Sequence, residues 1–126
     1  MDHAGKISNA ELEVMKILWR ENKPVSFSDI RVELQSKMNW EKSTINTLIR
    51  RLVDKGIVKA HKQEVLYYTP NISYSDYAQA EEQNLIDKLY NGSAKKFVVS
   101  LCQSGKLSES DIDELKELFR MGDGKE

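Results

Sequence analysis

Residues 40–56, WEKSTINTLIRRLVDKG, present two distinct faces when they are wound as a helix of about 3.6 residues per turn. The apolar residues recur at the spacing of a buried helical stripe, and they are Ile45, Leu48, Ile49 and Leu52. Lys55 and Gly56 are typical of a helix C-terminus, because a cation is favoured in the last turn and glycine readily adopts a left-handed conformation. We therefore predict an amphipathic helix with one side in a core.

The opposite side of this helix carries hydroxyls, an amide and two guanidiniums, but no carboxylate. Its members are Ser43, Thr44, Asn46, Thr47, Arg50 and Arg51. Such groups can hydrogen-bond base edges and phosphate oxygens in the DNA major groove, which is wide enough to admit a helix. The alternative is an ordinary solvated amphipathic helix, since such helices are the commonest kind in globular proteins. The rest of the chain has to decide between the two interpretations.

The distribution of charge favours a nucleic-acid partner, although the formal net charge of the chain is only -1. Residues 1–70 carry 12 Lys and Arg against 9 Asp and Glu, a balance of +3, whereas residues 71–126 carry 7 against 11, a balance of -4. The basic side chains between residues 37 and 62 are Lys37, Lys42, Arg50, Arg51, Lys55, Lys59 and Lys62. Only Glu41 and Asp54 oppose them, and a local charge of +5 matches the footprint of a phosphate-binding surface.

Two short helices are predicted before this stretch, and each is opened by a capping pattern. Ser8 precedes Glu11 by three residues, and Ser26 precedes Asp29 in the same way. Helical spacing directs two apolar sets toward a core, namely Leu12, Met15, Leu18 and Trp19 in the first helix and Phe27, Ile30, Leu34 and Met38 in the second. A brief extended segment is expected at Val25, between the two helices.

A small hairpin is predicted after the third helix. The runs IVKAHK and VLYYTP are rich in β-branched and aromatic residues, are separated by Gln63 and Glu64, and end at Pro70. Three helices, the last with a basic outer face, followed by a two-stranded hairpin are the element order of a winged helix-turn-helix domain. Lys59, His61 and Lys62 lie on or near this wing, where they are either phosphate contacts or part of a solvated edge strand guarded by its lysines.

The composition changes after the hairpin, where three short amphipathic helices are predicted, the first ended by Asn91 and Gly92. Their apolar residues form a candidate dimer interface of Leu85, Leu89, Phe97, Val98, Leu101, Ile112, Leu115, Leu118 and Phe119. A unit of about 50 residues buries too little surface to be stable alone, so we expect it to pair with a second chain. Packing back onto its own N-terminal domain is the alternative. The predicted domains are residues 1–72 for DNA binding and residues 73–126 for dimerisation.

Along nearly its whole length the chain resembles the penicillinase-repressor family, the BlaI/MecI type of bacterial winged-helix repressors. The segments that carry this resemblance are ISNAELEVMKILW at residues 7–19, W..STINTLIRRLVDKG at 40–56, YYTP at 67–70 and LSESDIDELKELF at 107–119. The resemblance implies a homodimer that binds inverted-repeat operators of TACA/TGTA character and blocks transcription of β-lactam resistance or related genes. It also implies that repression is relieved by proteolysis in the C-terminal domain, triggered by a membrane-bound β-lactam sensor.

Individual residues follow the family pattern to different degrees. Thr44, Thr47 and Arg51 match it, whereas the Ser-Pro-Lys-Thr that commonly opens the recognition helix is replaced here by Glu-Lys-Ser-Thr. The family is typically cleaved at an Asn-Phe pair, and the matching pair in this chain is Ser100-Leu101. The full set of predicted DNA-binding residues is Lys42, Ser43, Thr44, Asn46, Thr47, Arg50, Arg51 and Lys62.

Enzymatic and metal-dependent functions find no support in the sequence. Cys102 and the two histidines, His3 and His61, belong to no nucleophile–base motif, and no glycine-rich phosphate loop exists, so we expect no catalysis. The histidines are far apart, and the tail FRMGDGKE lacks the Cys-x-Cys motifs of related copper-responsive repressors. We therefore expect no metal and no other cofactor.

A cytoplasmic location without membrane insertion is predicted, because no apolar run approaches ~20 residues and the N-terminal segment has no signal-peptide core. Two alternative functions stay open at this point. One is a winged-helix module for protein–protein contact, whose binding would not weaken steeply with salt. The other is a repressor of the same family that answers a different signal, such as copper.

Overall fold

The computed structural model describes residues 7–124 and is mainly helical. Its elements in chain order are α1 (Asn9–Glu21), β1 (Val25–Ser26), α2 (Phe27–Met38), α3 (Lys42–Asp54), β2 (Val58–Lys62), β3 (Leu66–Pro70), α4 (Tyr74–Tyr90), α5 (Ala94–Gln103) and α6 (Glu109–Gly124). The predicted fold class is confirmed. The chain divides into two compact units, Met1–Glu81 and Glu82–Glu126, with the division inside α4. The functional boundary between residues 72 and 73 stays a prediction.

The sheet of the first unit has three antiparallel strands in the order β1-β3-β2. The predicted hairpin is present, with its register running from the pair Val58 and Pro70 to the pair Lys62 and Leu66. The extended segment predicted at Val25 is also present, and it pairs with Tyr68 to add a third strand beside the two-stranded wing. A two-residue strand depends on a partner far along the chain, and local sequence does not encode that partner.

The first two helices begin at the serines that the sequence indicated. In α1 the Ser8 Oγ accepts a 3.1 Å hydrogen bond from the Glu11 N–H, and the Ser8 N–H donates to Glu11 Oε1 at 2.9 Å. In α2 the Ser26 Oγ accepts from the Asp29 N–H at 3.1 Å. These bonds satisfy N–H groups that otherwise have no partner in a first helical turn. Both predicted caps are confirmed.

The core of the first unit is built from aliphatic side chains of all three helices and the sheet. Its buried members are Val14, Met15, Ile17, Leu18, Val25, Ile30, Leu34, Ile45, Leu48, Ile49, Leu52, Ile57, Val58 and Tyr68. Of the predicted core positions, four are only partly buried and pack at its edge, namely Leu12, Trp19, Phe27 and Met38. Burial of one such aliphatic side chain contributes roughly 1.5–3 kcal/mol, so the four residues of the α3 stripe hold that helix firmly in place.

In the second unit, the end of α4 packs against α5. The Tyr90 and Phe97 rings lie 5.3 Å apart, and the Tyr90 hydroxyl donates a 3.2 Å hydrogen bond to Ser100 Oγ. The predicted break lies where Asn91 and Gly92 adopt φ values of 52° and 80°. No helix within residues 7–124 combines the length and apolar character needed to cross a membrane.

Candidate nucleic-acid interface

Helix α3 is oriented by its apolar stripe, so that its polar side faces outward. Ile45, Leu48, Ile49 and Leu52 are buried, as predicted. On the opposite side the exposed residues are Lys42, Ser43, Thr44, Asn46, Arg50 and Arg51, while Thr47 is half-buried. Eight predicted DNA-binding residues are thus divided between two elements, with seven on α3 and Lys62 on the wing. Their role in DNA binding stays a prediction.

Thr47 differs from its neighbours on the outer face because its hydroxyl is already engaged. The Thr47 Oγ1 donates a 2.9 Å hydrogen bond to the backbone carbonyl of Ser43, one turn earlier in α3. This is a local side-chain bond of the kind that threonine commonly makes within a helix. Because the hydroxyl proton is already donated within the helix, Thr47 is left with its methyl group and the lone pairs of its oxygen to contact a ligand.

The N-terminal end of α3 is suited to a negatively charged partner. Glu41 occupies the cap position but makes no side-chain hydrogen bond to the first turn, and that turn contains no acidic residue. The first-turn N–H groups and the positive end of the helix dipole are therefore available to water or to an anion. Lys42 and Ser43, both exposed, flank these groups.

The basic footprint predicted from sequence is smaller in the structure. Lys37 Nζ lies 3.4 Å from Glu13 Oε1, and Lys55 Nζ lies 2.7 Å from Glu11 Oε1. These two lysines form ion pairs with carboxylates of α1. The pairings could not be predicted from the sequence, because the partners are far apart in the chain. The remaining basic residues make no ion pair within the described chain, and they are Lys42, Arg50, Arg51, Lys59 and Lys62. A phosphate partner would therefore meet no competing carboxylate of the described chain at these residues.

The Glu11 carboxylate is the only charged group among the described residues that is fully enclosed by the first unit. Burial by itself raises the pKa of Glu11, but hydrogen bonds from Lys55 and Ser8 and the positive charge of Lys55 outweigh it. The net effect is a pKa below the usual range for glutamate. Glu11 therefore stays ionised at neutral pH and serves as the anchor for Lys55.

The wing lysines point to different sides of the sheet, because side chains alternate along a strand. Lys62 shares a face with Tyr68 across the hairpin register, and Tyr68 is buried and borders the outer residues of α3. Lys59 lies on the other face together with His61, whose Nε2 lies 2.7 Å from Thr69 Oγ1. Lys62 is thus the wing lysine on the face of the sheet that borders α3.

A groove runs between α3 and the wing, and sequence reasoning did not foresee it. Its larger part has a volume of about 630 Å³, with Phe27, Leu66 and Tyr68 on its apolar side and Lys42, Ser43 and Asn46 on its polar side. A second part of about 290 Å³ shares three of these residues and extends along α3 to Arg50. Burial raises the pKa of Tyr68, so its hydroxyl remains protonated. We call these two parts together the wing groove.

The predicted dimer residues divide by exposure in the second unit. Leu85, Leu89, Val98, Leu118 and Phe119 are exposed, and Phe97, Leu101, Ile112 and Leu115 are half-buried. Two further apolar side chains outside the predicted interface, Val99 and Met121, are also exposed. So many exposed apolar side chains on a short segment are typical of a protein interaction surface.

The candidate cleavage pair lies inside α5 rather than in a loop. The Ser100 carbonyl, which belongs to the peptide bond between Ser100 and Leu101, accepts a 3.0 Å hydrogen bond from the Ser104 N–H. Both members of the pair are half-buried. A protease that needs extended backbone could reach this bond only after α5 unwinds locally.

The described residues offer no assembled metal site. Within residues 7–124 no three His, Cys, Asp or Glu side chains come together in a way that could hold an ion, and Cys102 is exposed and free. His3 and most of the segment analysed for a signal peptide lie outside the described residues.

The chain is similar to known protein sequences along most of its length. The penicillinase repressor family model matches residues 7–121. The penicillinase repressor of Bacillus licheniformis is 35% identical over 120 residues, which cover 94% of this chain and 93% of that protein. The penicillinase repressor of Staphylococcus aureus is 37% identical over 115 residues, covering 90% of each chain. The methicillin resistance regulatory protein MecI of Staphylococcus aureus (strain N315) is 34% identical over 115 residues, covering 90% of this chain and 93% of that protein.

Solved structures of a related repressor match more than half of the chain. The solution structure of the DNA binding domain of the repressor BlaI is 41% identical with a TM-score of 0.54, covering 61% of this chain and 94% of that one. The Bacillus licheniformis BlaI monomeric form in complex with the blaP half-operator is 43% identical with a TM-score of 0.51. That match covers 56% of this chain and 87% of the other.

Proposed function

The chain belongs to the penicillinase repressor family, and we propose that it is a transcriptional repressor that binds operator DNA through the outer face of α3. The observation that carries this proposal is that α3 is held by a fully buried stripe while its other side presents seven polar or basic groups and an uncapped first turn. A related chain of 43% identity has been solved in complex with a half-operator. The relatives' names support β-lactam resistance genes as the regulated targets.

In this proposal α3 lies in the major groove, where its outer residues have distinct tasks. Arg51 donates to base edges or to a phosphate, since a guanidinium can bond guanine at two acceptors. The methyl of Thr47 contacts a thymine methyl, because its hydroxyl is engaged with the helix backbone. Lys42, with the first-turn N–H groups, and Lys62 on the wing neutralise phosphates.

The proposed repressor acts as a homodimer on an inverted-repeat operator of TACA/TGTA character. The exposed apolar side chains of the second unit, Leu89, Leu118 and Phe119 among them, supply the surface that a second copy would cover. A twofold dimer places two copies of α3 on two half-sites, and that symmetry matches an inverted repeat. The protein carries out no chemistry of its own in this scheme.

Repression ends in the proposed scheme when a protease, activated through a membrane-bound β-lactam sensor, cuts between Ser100 and Leu101. Such a cut separates most of α5 from α6 and so divides the dimer surface. Because the bond is protected within α5, cleavage should be slow without a factor that unwinds the helix. The regulation would then depend on the stability of α5 as well as on the protease.

Mapping the binding sites of the protein on its own chromosome tests the proposed function. Wild-type protein should be found at a few promoters that contain inverted repeats, and transcription from them should rise when the gene is deleted. A variant with Thr44→Ala, Thr47→Ala and Arg51→Ala should lose these sites, whereas Lys16→Ala, which removes one exposed charge from α1, should keep them. An absence of promoter sites for the wild type would contradict the proposal and favour a protein–protein contact module.

A further inference from the structure

We propose that Leu66 packs against the C–H edge of a deoxyribose in the operator strand that lies along the wing groove. This inference rests on the proposed function and deepens it. It assigns a DNA contact to an apolar residue. Such a residue has no charge and no side-chain hydrogen-bonding group from which a DNA contact could be predicted. Leu66 is 42% exposed although it begins a strand whose register places it opposite Lys62.

The geometry of duplex DNA supplies the first step. A sugar–phosphate strand forms the wall between the major groove and the adjacent minor groove. If α3 enters the major groove, the hairpin beside it lies over that wall or beyond it. One strand of the duplex must therefore run through the space between α3 and β3, and this space is the wing groove.

The chemistry of the groove supplies the second step. A DNA strand alternates anionic phosphates with deoxyriboses whose edges are largely C–H. The groove offers a partner for both kinds of group, because Lys42 and Arg50 lie along its α3 side and the Phe27, Leu66 and Tyr68 side chains form its apolar side. No acidic residue lines it. This charge complementarity favours a polyanion with apolar edges over an uncharged or basic occupant.

The pair of Lys62 and Leu66 supplies the third step. These residues are direct partners in the β2–β3 register, so their side chains lie next to each other on the face of the sheet that borders the groove. Neighbouring side chains of this kind can contact one phosphate and its adjoining sugar together. The lysine adds a salt-dependent contribution to binding, and the leucine adds one that does not depend on salt.

Hydroxyl-radical footprinting of the full-length protein on an operator selected from random duplexes tests the inference, since this reagent cleaves DNA at accessible deoxyriboses. The test variant is Leu66→Ala. The matched control is Val65→Ala, a change at the preceding residue, which is 53% exposed in the turn and lines neither part of the groove. Leu66→Met, which keeps an apolar side chain of similar size, shows whether apolar contact itself is responsible.

We expect Leu66→Ala to restore cleavage at one or two deoxyriboses beside each half-site and to weaken binding about three- to thirtyfold, the range for loss of a few buried methylene groups. The dependence of affinity on salt should keep its slope, because no phosphate contact is lost. Val65→Ala and Leu66→Met should keep the wild-type footprint. Equal unfolding midpoints for Leu66→Ala and Val65→Ala would show that the fold is unchanged.

Three results would overturn the inference, and they are distinguishable from one another. If the wild-type protein gives no footprint on any duplex, that result contradicts both the proposed function and the inference. A wild-type footprint that Leu66→Ala leaves intact, at unchanged affinity, removes only the inference. A variant whose mass in solution by light scattering changes while its footprint does not would assign the wing groove to a second copy of the chain.

Discussion

Glu11 and Lys55 join the beginning of α1 to the end of α3 through a direct ion pair. The Lys55 Nζ donates to Glu11 Oε1 at 2.7 Å, and the same oxygen accepts the Ser8 N–H at 2.9 Å. Glu11 is 2% exposed, whereas the Lys55 side chain is 32% exposed and can meet solvent at one side. The helix that carries the proposed DNA face is therefore fixed at its C-terminal end as well as along its apolar stripe.

This ion pair should make the free energy of unfolding depend on pH. Because the pKa of Glu11 is lowered in the folded state, the ionised carboxylate stabilises the fold above its unfolded-state pKa of about 4.3, and this contribution is lost as the pH falls through the lower folded-state pKa. Glu11→Gln should lower the free energy of unfolding by about 1–3 kcal/mol at neutral pH. Denaturant titrations at several pH values should show a smaller decline with acid for the variant than for the wild type. Identical declines would assign the acid sensitivity to other carboxylates.

The engaged hydroxyl of Thr47 leads to a second prediction. Thr47→Ser keeps the bond to the Ser43 carbonyl but removes the methyl, whereas Thr47→Val keeps a methyl and removes the hydroxyl. If the methyl contacts thymine, Thr47→Ser should weaken operator binding by about 0.8 kcal/mol, and Thr47→Val should bind much as the wild type does.

Replacing single operator thymines with deoxyuridine removes the methyl from the DNA side of the same contact. At one position in each half-site this change should weaken the wild type and leave Thr47→Ser unaffected, as expected when both partners of one contact are removed. A Thr47→Val protein that loses affinity while Thr47→Ser keeps it would show that the hydroxyl makes the contact.

The two wing lysines provide a matched pair of variants. Lys62→Ala should weaken binding to all duplexes similarly and reduce the log–log salt slope by about 0.9, the value for one phosphate of B-DNA. Lys59→Ala removes the same charge from the opposite face of the sheet and should leave that slope nearly unchanged. Equal slopes for the two variants would mean that the face of the sheet on which a wing lysine lies does not decide whether it contacts a phosphate.

Cutting the chain at the candidate cleavage pair should abolish the dimer without changing a DNA contact. A protein of residues 1–100 lacks α6 and the end of α5, and with them Leu101, Leu118 and Phe119 of the predicted dimer interface. Because two linked DNA-binding units bind two half-sites at high effective concentration, affinity for a complete operator should fall by about 10² to 10⁴.

Light scattering and titrations on two operators check this prediction. The cut and intact proteins should differ in mass and in affinity for the complete operator, but they should bind a single half-site about equally. A truncated chain that stays dimeric would contradict the prediction and indicate that the dimer contacts lie in the first unit.

The sequence was sufficient for those features that depend on residues close together in the chain. The Ser8 and Glu11 cap, the stripe that includes Ile45 and Leu48, and the break at Asn91 all arise from spacings of four residues or fewer or from a single backbone conformation. Local propensity and periodicity decide such features, and the structure agrees with each prediction.

Features that depend on long-range contacts were missed. The pairing of β1 with β3 and the ion pairs that withdraw Lys37 and Lys55 from the basic footprint join residues far apart in the sequence. The wing groove has the same origin, because Leu66 meets the α3 side chains only after the hairpin folds over the helix. In the sequence, the only indication of this site was the presence of Leu66 close to Lys62. Their pairing can be recognised only once the strand register is known.

The most direct test of the central claim, that the outer face of α3 binds the operator, is an equilibrium titration of Arg51→Ala against a selected operator and a scrambled duplex. Arg51 is exposed and faces away from the apolar stripe, so its removal should not disturb the core. Lys16→Ala, an exposed charge change on α1, serves as the control.

We predict that Arg51→Ala weakens operator binding by about 1–3 kcal/mol, weakens binding to the scrambled duplex less, and leaves the unfolding midpoint unchanged. Lys16→Ala should bind the operator as the wild type does. Operator affinity that survives the loss of Arg51, or an unfolding midpoint that falls along with the affinity, would contradict the claim.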